Sequence, residues 1–127
     1  MSRDAARAKE FAAKHDAQVG YDSVDAVLSD SRVDAVYIAN RNHLHAPHAI
    51  LALQVGKHVF MEKPVATDAP GIRKVIDAVA VAKEKDLKIG VGLQRHHQKT
   101  YLATLEKIWD GAIGDVVALR TYWNSGG

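Results

Sequence analysis

The chain has 127 residues and a mass of 13.8 kDa, with 47% hydrophobic and 25% charged residues, an ordinary globular balance with enough chain for one modest core. Seventeen Lys and Arg face fifteen Asp and Glu, and the resulting net charge of +2 is too small to argue for nucleic-acid binding by bulk charge. Cysteine is absent, which excludes disulfides, thiolate metal sites and cysteine nucleophiles, and no apolar run is long enough to span a membrane.

The N-terminus is polar and Ala-rich and carries no secretory pattern. Ser2 reads as the cap of a helix with Ala5, Ala8, Phe11, Ala12 and His15 on one stripe. Gln18 to Tyr21 is a weak strand candidate, and Ser23 caps a short helix carrying Val24, Val27 and Leu28. Ala35 to Ala39 is a continuous apolar run of strand length, the pattern of a strand buried on both faces of a parallel sheet. A helix follows from about Leu44 to Val55, stopped by Gly56. His58 to Met61 is a second strand. Thr67 or Asp68 opens the next helix, with Pro70 in its first turn, where a missing N–H is tolerated. Leu87 to Leu93 is a third strand, softened by Gly90 and Gly92. A last helix carries Leu102, Leu105, Ile108 and Trp109 and ends at Gly111, and Val116 to Trp123 reads as a strand with one wetter face. Strands alternating with helices predict an α/β fold with parallel strands and right-handed crossovers.

Ligands of open parallel sheets bind beyond the carboxyl ends of the strands. Three strand exits carry the polar chemistry: Asn40-Arg41-Asn42-His43-Leu44-His45, Glu62-Lys63-Pro64 and Gln94-Arg95-His96-His97. Glu62 and Lys63 are adjacent at a strand end and point to opposite sides of the sheet. A lysine ammonium in a desolvated pocket suits proton transfer. The plainer alternative, a surface ion pair beside a loop proline, is the stronger one on composition alone. His43, His45 and His48 form H-x-H-x-x-H, a spacing compatible with a metal-dependent hydrolase. No acidic residue lies among them, and solvated or capping histidines account for them as simply.

The run Val33 to Ala39, then Asn42 and His45, Ala52-Leu53, Gly56-Lys57-His58-Val59 and Glu62-Lys63-Pro64 resembles the Gfo/Idh/MocA family of NAD(P)-dependent oxidoreductases, which act mostly on sugars, cyclitols and related polyols. The likeness continues through Gly92-Leu93-Gln94-Arg95, the Gly111 to Gly114 turn and Tyr122-Trp123-Asn124. It implies a Rossmann-like, doubly wound parallel sheet over residues 1–112 that lacks its first two strands, followed over 113–127 by the first strand of an α/β substrate domain. The family's first strand, Gly-rich turn and first helix would precede Ser2, and no G-x-G-x-x-G occurs in the chain. With the central strand absent, the segment near Val19 has no partner and Ala35 to Ala39 becomes an open edge.

By resemblance, Lys63 is the catalytic lysine that hydrogen-bonds the reacting hydroxyl and assists its proton transfer. Ala39, Asn40, Asn42, His45, Glu62, Lys63 and Pro64 face an NAD or NADP cofactor, and Gln94 and Arg95 face a small-molecule sugar or polyol substrate. No metal is implied. Asn40-Arg41 stands where the family usually has Thr-Pro, which loosens that loop. The resemblance further implies a homo-oligomeric, cytoplasmic parent without nucleic-acid or membrane partners, a periplasmic or secreted one staying open. Two other readings remain: a catalytically silent binding module, and a metal-hydrolase piece built on His43 and His45.

Overall fold

The computed structural model describes residues 4–124. They fall into two compact units, one ending at Gly92 and one starting at Leu93. In the first, α1 (Ala5–Lys14) is capped by the Asp4 carboxylate, which accepts from the backbone N–H groups of Ala6 and Arg7 at 2.8 and 3.3 Å. The expected cap, Ser2, lies outside the described residues. Ser23 caps α2 (Val24–Ser29) as its sequence predicts. No strand forms over Val19 to Tyr21. Gly20 instead lies against α1, so closely that an added Cβ would sit 2.1 Å from the Ala8 carbonyl oxygen.

Three parallel strands follow in the spatial order β1 (Ala35–Ile38), β2 (His58–Glu62), β3 (Ile89–Gly92). Val36, Val59 and Ile89 are in register, as are Tyr37, Phe60 and Gly90. The crossovers are α3 (His45–Gln54) and α4 (Ala69–Glu84). α3 ends at Gly56, whose φ of 80° suits only glycine well. Asp68 caps α4 by accepting the Gly71 N–H at 2.7 Å, and Pro70 sits in its first turn. Ile38, Val59 and Met61 pack with Ala49, Ala52 and Leu53 of α3 and Ala82 of α4 into the core. Alanines at the helix contacts let α3 approach α4 and the sheet closely.

Within the first unit, α3 and α4 pack on the sheet face that carries Ile38, Val59 and Met61. Tyr37 is 62% exposed and Phe60 44%, against the expectation of a first strand buried on both sides. β1 forms the edge of the described sheet, as the reading of an unpartnered Ala35 to Ala39 required.

At the amino edge of the strands, Asp30 gathers neighbouring segments. Its carboxylate accepts from the Tyr21 hydroxyl at 2.6 Å and from the Arg32 backbone N–H, Nε and Nη2, while its carbonyl accepts from Lys57 Nζ at 3.0 Å. These bonds, led by those from the Arg32 guanidinium, hold the Asp30 carboxyl well below the usual carboxylate range.

In the second unit, α5 (Lys99–Trp109) ends before Gly111, which has φ of 83°. The strand expected over Val116 to Trp123 is not formed. Alternation alone does not make a strand, and no described segment pairs with this one.

Candidate functional site

Because the strands are parallel, β1 and β2 release the chain at the same edge. Beyond β1 come Ala39, Asn40 and a 3₁₀ turn over Asn42–Leu44, which leads into α3. Beyond β2 come Lys63 and Pro64, joined by a cis peptide bond. The sequence places Ala39, Asn40, Asn42, His45, Glu62, Lys63 and Pro64 here, and the structure brings these two exits together through His45.

His45 is the first residue of α3 and only 1% exposed. Its Nδ1 lies 2.8 Å from the Pro64 carbonyl oxygen and its Nε2 3.0 Å from the Asn40 carbonyl oxygen. The ring is turned into the protein, and both nitrogens meet main-chain acceptors. Among the described residues no group of three or more His, Asp or Glu side chains is placed to hold a metal ion.

One turn along α3, His48 takes up the Asn40 side chain, whose Nδ2 donates to His48 Nδ1 at 2.7 Å. Partial burial, then the neighbouring His45, lowers the His48 pKa, in keeping with a neutral ring that accepts. Ala39 and Asn40 line a cavity of about 590 Å³ beside the open edge of β1, walled by Phe11, Val24, Val27, Leu28 and Tyr37.

Glu62 projects from the sheet face that carries Tyr37 and Phe60. Its Oε1 accepts from the Tyr37 hydroxyl at 2.6 Å, and the Tyr37 ring stacks on Phe60 with centroids 5.6 Å apart. The bond to the Glu62 carboxylate raises the Tyr37 pKa above its usual 10.0. Opposite Glu62 is Gly92, where an added Cβ would lie 2.6 Å from the Glu62 Oε2. Lys63 is exposed and forms no ion pair with Glu62 or any other described residue, which sets aside the surface ion pair. Asn42 is exposed in its 3₁₀ turn.

Gln94 and Arg95 belong to the second unit, in a 3₁₀ turn over Gln94–His97. The Arg95 guanidinium lies between two rings, 5.0 Å from the centroid of Tyr101 and 5.2 Å from that of Trp123. Sequence reasoning missed Tyr37, His48 and Gly92 as partners of site residues. The signal for Gly92 was its place in a strand, where a glycine marks a close approach. Nothing in local sequence linked Tyr37 to Glu62.

A parallel sheet with helical crossovers and its polar residues at the carboxyl edge defines a Rossmann-type α/β unit. Residues 1–93 match the sequence profile of an oxidoreductase family with an NAD-binding Rossmann fold. The chain belongs to that family, Gfo/Idh/MocA. It is 30% identical over 122 residues to the 1,5-anhydro-D-fructose reductase of Ensifer adhaerens, covering 96% of this chain and 36% of that protein. It is 35% identical over 120 residues to an inositol 2-dehydrogenase of Klebsiella pneumoniae, covering 94% and 35%. Among solved structures it resembles KijD10, a 3-ketoreductase of Actinomadura kijaniata crystallised with TDP-benzene and NADP. There the TM-score is 0.75 and the identity 32%, over 90% of this chain and 35% of that one. The chain thus spans about a third of the length of the proteins it matches.

Proposed function

We propose that this chain supplies the cofactor-facing part of an oxidoreductase that moves a hydride between NAD or NADP and a hydroxyl of a sugar, cyclitol or related polyol. The observation that carries the reading is the pairing of two strand exits at one edge, with an unpaired Lys63 at the second exit and the Ala39–Asn40 cavity at the first. Ala39, Asn40, Asn42, Glu62, Lys63 and Pro64 fit the nicotinamide and ribose side of such a cofactor. Nothing in the sequence supplies the Gly-rich turn that binds a pyrophosphate at a helix N-terminus. The cofactor, when bound, supplies the hydride chemistry.

The protein's share is proton handling and orientation. The Lys63 ammonium donates to the reacting oxygen and passes or receives its proton as the C–O bond order changes. The Asn40 carboxamide, held by His48, fixes the first exit. The Glu62 carboxylate, held by Tyr37, offers an acceptor to ribose hydroxyls. Gln94 and Arg95 are assigned to the substrate side, and the working assembly is a homo-oligomer.

The test is a hybrid enzyme in which residues 1–127 replace the matched third of one of the full-length relatives. Lys63→Ala there lowers kcat by about 10²- to 10⁴-fold, the usual share of a general acid–base residue, and changes cofactor affinity little. Unchanged turnover removes Lys63 from catalysis. The chain on its own binds NAD(P) weakly or not at all, and tight binding by calorimetry refutes that. The open β1 edge favours a second reading, a catalytically silent module; a monodisperse chain with no turnover even in the hybrid supports it.

A further inference from the structure

We propose that His45 is a positioning residue: its imidazole staples the main chain leaving β1 to the main chain leaving β2, and so fixes where Lys63 stands relative to the Asn40 loop.

A histidine at the start of a helix, following a polar loop, ordinarily points to solvent or caps the helix. Here the ring is 1% exposed, and no side chain is its partner. It meets two carbonyl oxygens from segments 24 residues apart in the chain, Asn40 and Pro64 (64 − 40). Both belong to exits that carry no ladder hydrogen bonds, because the strands end at Ile38 and Glu62. A ring with nitrogens on two sides spans the gap between these two half-buried contacts, which a single amide would not. A neutral imidazole has one N–H and donates to one carbonyl at a time; a ring protonated at both nitrogens donates to both. In either form the bonded atoms are backbone, so the ring acts on where the chain runs.

Two sequence features make the staple necessary. Asn40-Arg41 lacks a proline to stiffen the first exit. Lys63 has no partner of its own among the described residues, so only its backbone is available to fix it. Lys63 immediately precedes the residue whose carbonyl His45 meets. The consequence for catalysis rests on the reading of Lys63 given above; the staple itself does not.

The experiment uses the chain itself, labelled with ¹⁵N. His45→Phe keeps a flat ring, one ring atom larger, and removes both nitrogens. If His45 only fills space, the change leaves the exits as they were. If it is a staple, the backbone order parameters of Asn40, Arg41, Lys63 and Val65 fall from about 0.85 to below about 0.6, while those of α4 hold. His45→Gln keeps one donor group and loosens one exit more than the other. Should neither variant fold, the wild-type chain decides: a slowly exchanging His45 ring N–H supports the staple, and a freely exchanging ring refutes it. In the hybrid enzyme, His45→Gln lowers kcat at least tenfold with the cofactor KM nearly unchanged. Lost order with unchanged kcat keeps the staple and overturns the role of Lys63. Order retained in a folded His45→Phe chain overturns the staple whatever turnover does.

Discussion

Gly92→Ala tests how the sheet places Glu62. The new Cβ would lie 2.6 Å from Oε2, 2.9 Å from the carboxyl carbon and 3.0 Å from Oε1, all inside the 3.4 Å at which ordinary contact begins. To restore that contact the nearest oxygen must retreat by about 0.8 Å (3.4 − 2.6). The obstructed group is the end of a flexible side chain, so the carboxylate swings away and the backbone stays. β2 lies between β3 and β1, so the carboxylate cannot yield to the new Cβ without leaving its present place beside the phenol, and the 2.6 Å Tyr37–Glu62 bond loses its geometry. The fold itself loses little, because alanine in a strand is better than glycine by roughly 0.5–1 kcal/mol, which offsets the lost contact. Two readouts therefore separate. The Tyr37 phenol, held above 10.0 by Glu62, titrates closer to 10.0 in the variant, followed by the ¹³Cζ shift of a labelled Tyr37. The melting temperature changes by no more than a few degrees. A Tyr37 titration identical in the two proteins refutes the placement of Glu62 by Gly92. In the hybrid enzyme the same variant weakens cofactor binding more than it lowers kcat.

Gly20→Ala is the opposite case, since the Cβ would lie 2.1 Å from the Ala8 carbonyl oxygen and 2.4 Å from its carbon, a wall of helix backbone that has no flexible end. A loss of about 1–3 kcal/mol is expected, read as a melting temperature lower by about 4–8 °C per kcal/mol. Met61→Ala opens a hole in a core side chain that is 1% exposed and costs about 2–5 kcal/mol, measured by urea unfolding. Acid weakens the amino edge: the Asp30 carboxyl is depressed in the folded state, so its contribution is complete above the unfolded value near 3.9 and is lost as pH falls through the lower folded value. Asp30→Asn removes that part of the acid dependence, and an unchanged stability-against-pH curve below about pH 4 refutes the assignment.

Much of the fold was legible because its signals are local. Ser23 and Asp68 cap the helices they were expected to cap, Pro70 sits in a first turn, and Gly56 ends α3, each through chemistry confined to a few residues. Strand existence is a different matter. Val19 to Tyr21 and Val116 to Trp123 have strand-like composition, yet a strand is a property of a pair, and neither finds a partner among the described residues. The site shows the same division. The Asn40–Asn42 and Glu62–Pro64 exits follow from where parallel strands end. That His45 turns inward does not, since the same residue in the same loop serves a ligand or a carbonyl equally well. Likewise, the apolar run Ala35 to Ala39 foretold a strand but not that Tyr37 would stand exposed, bonded to a carboxylate 25 positions away.

The seating of Arg95 between Tyr101 and Trp123 has a spectroscopic corollary. The chain contains two tryptophans, Trp109 and Trp123, and both lie beyond Gly92. Both indole emitters therefore belong to the second unit, and none belongs to the parallel sheet. Far-ultraviolet dichroism, by contrast, is dominated by the helices of the first. Followed together through one melt, the two signals tell whether the units unfold as one cooperative body or separately. Of the two indoles Trp123 is the one seated against Arg95, so a Trp109→Phe chain makes the emission a report on the Arg95 neighbourhood.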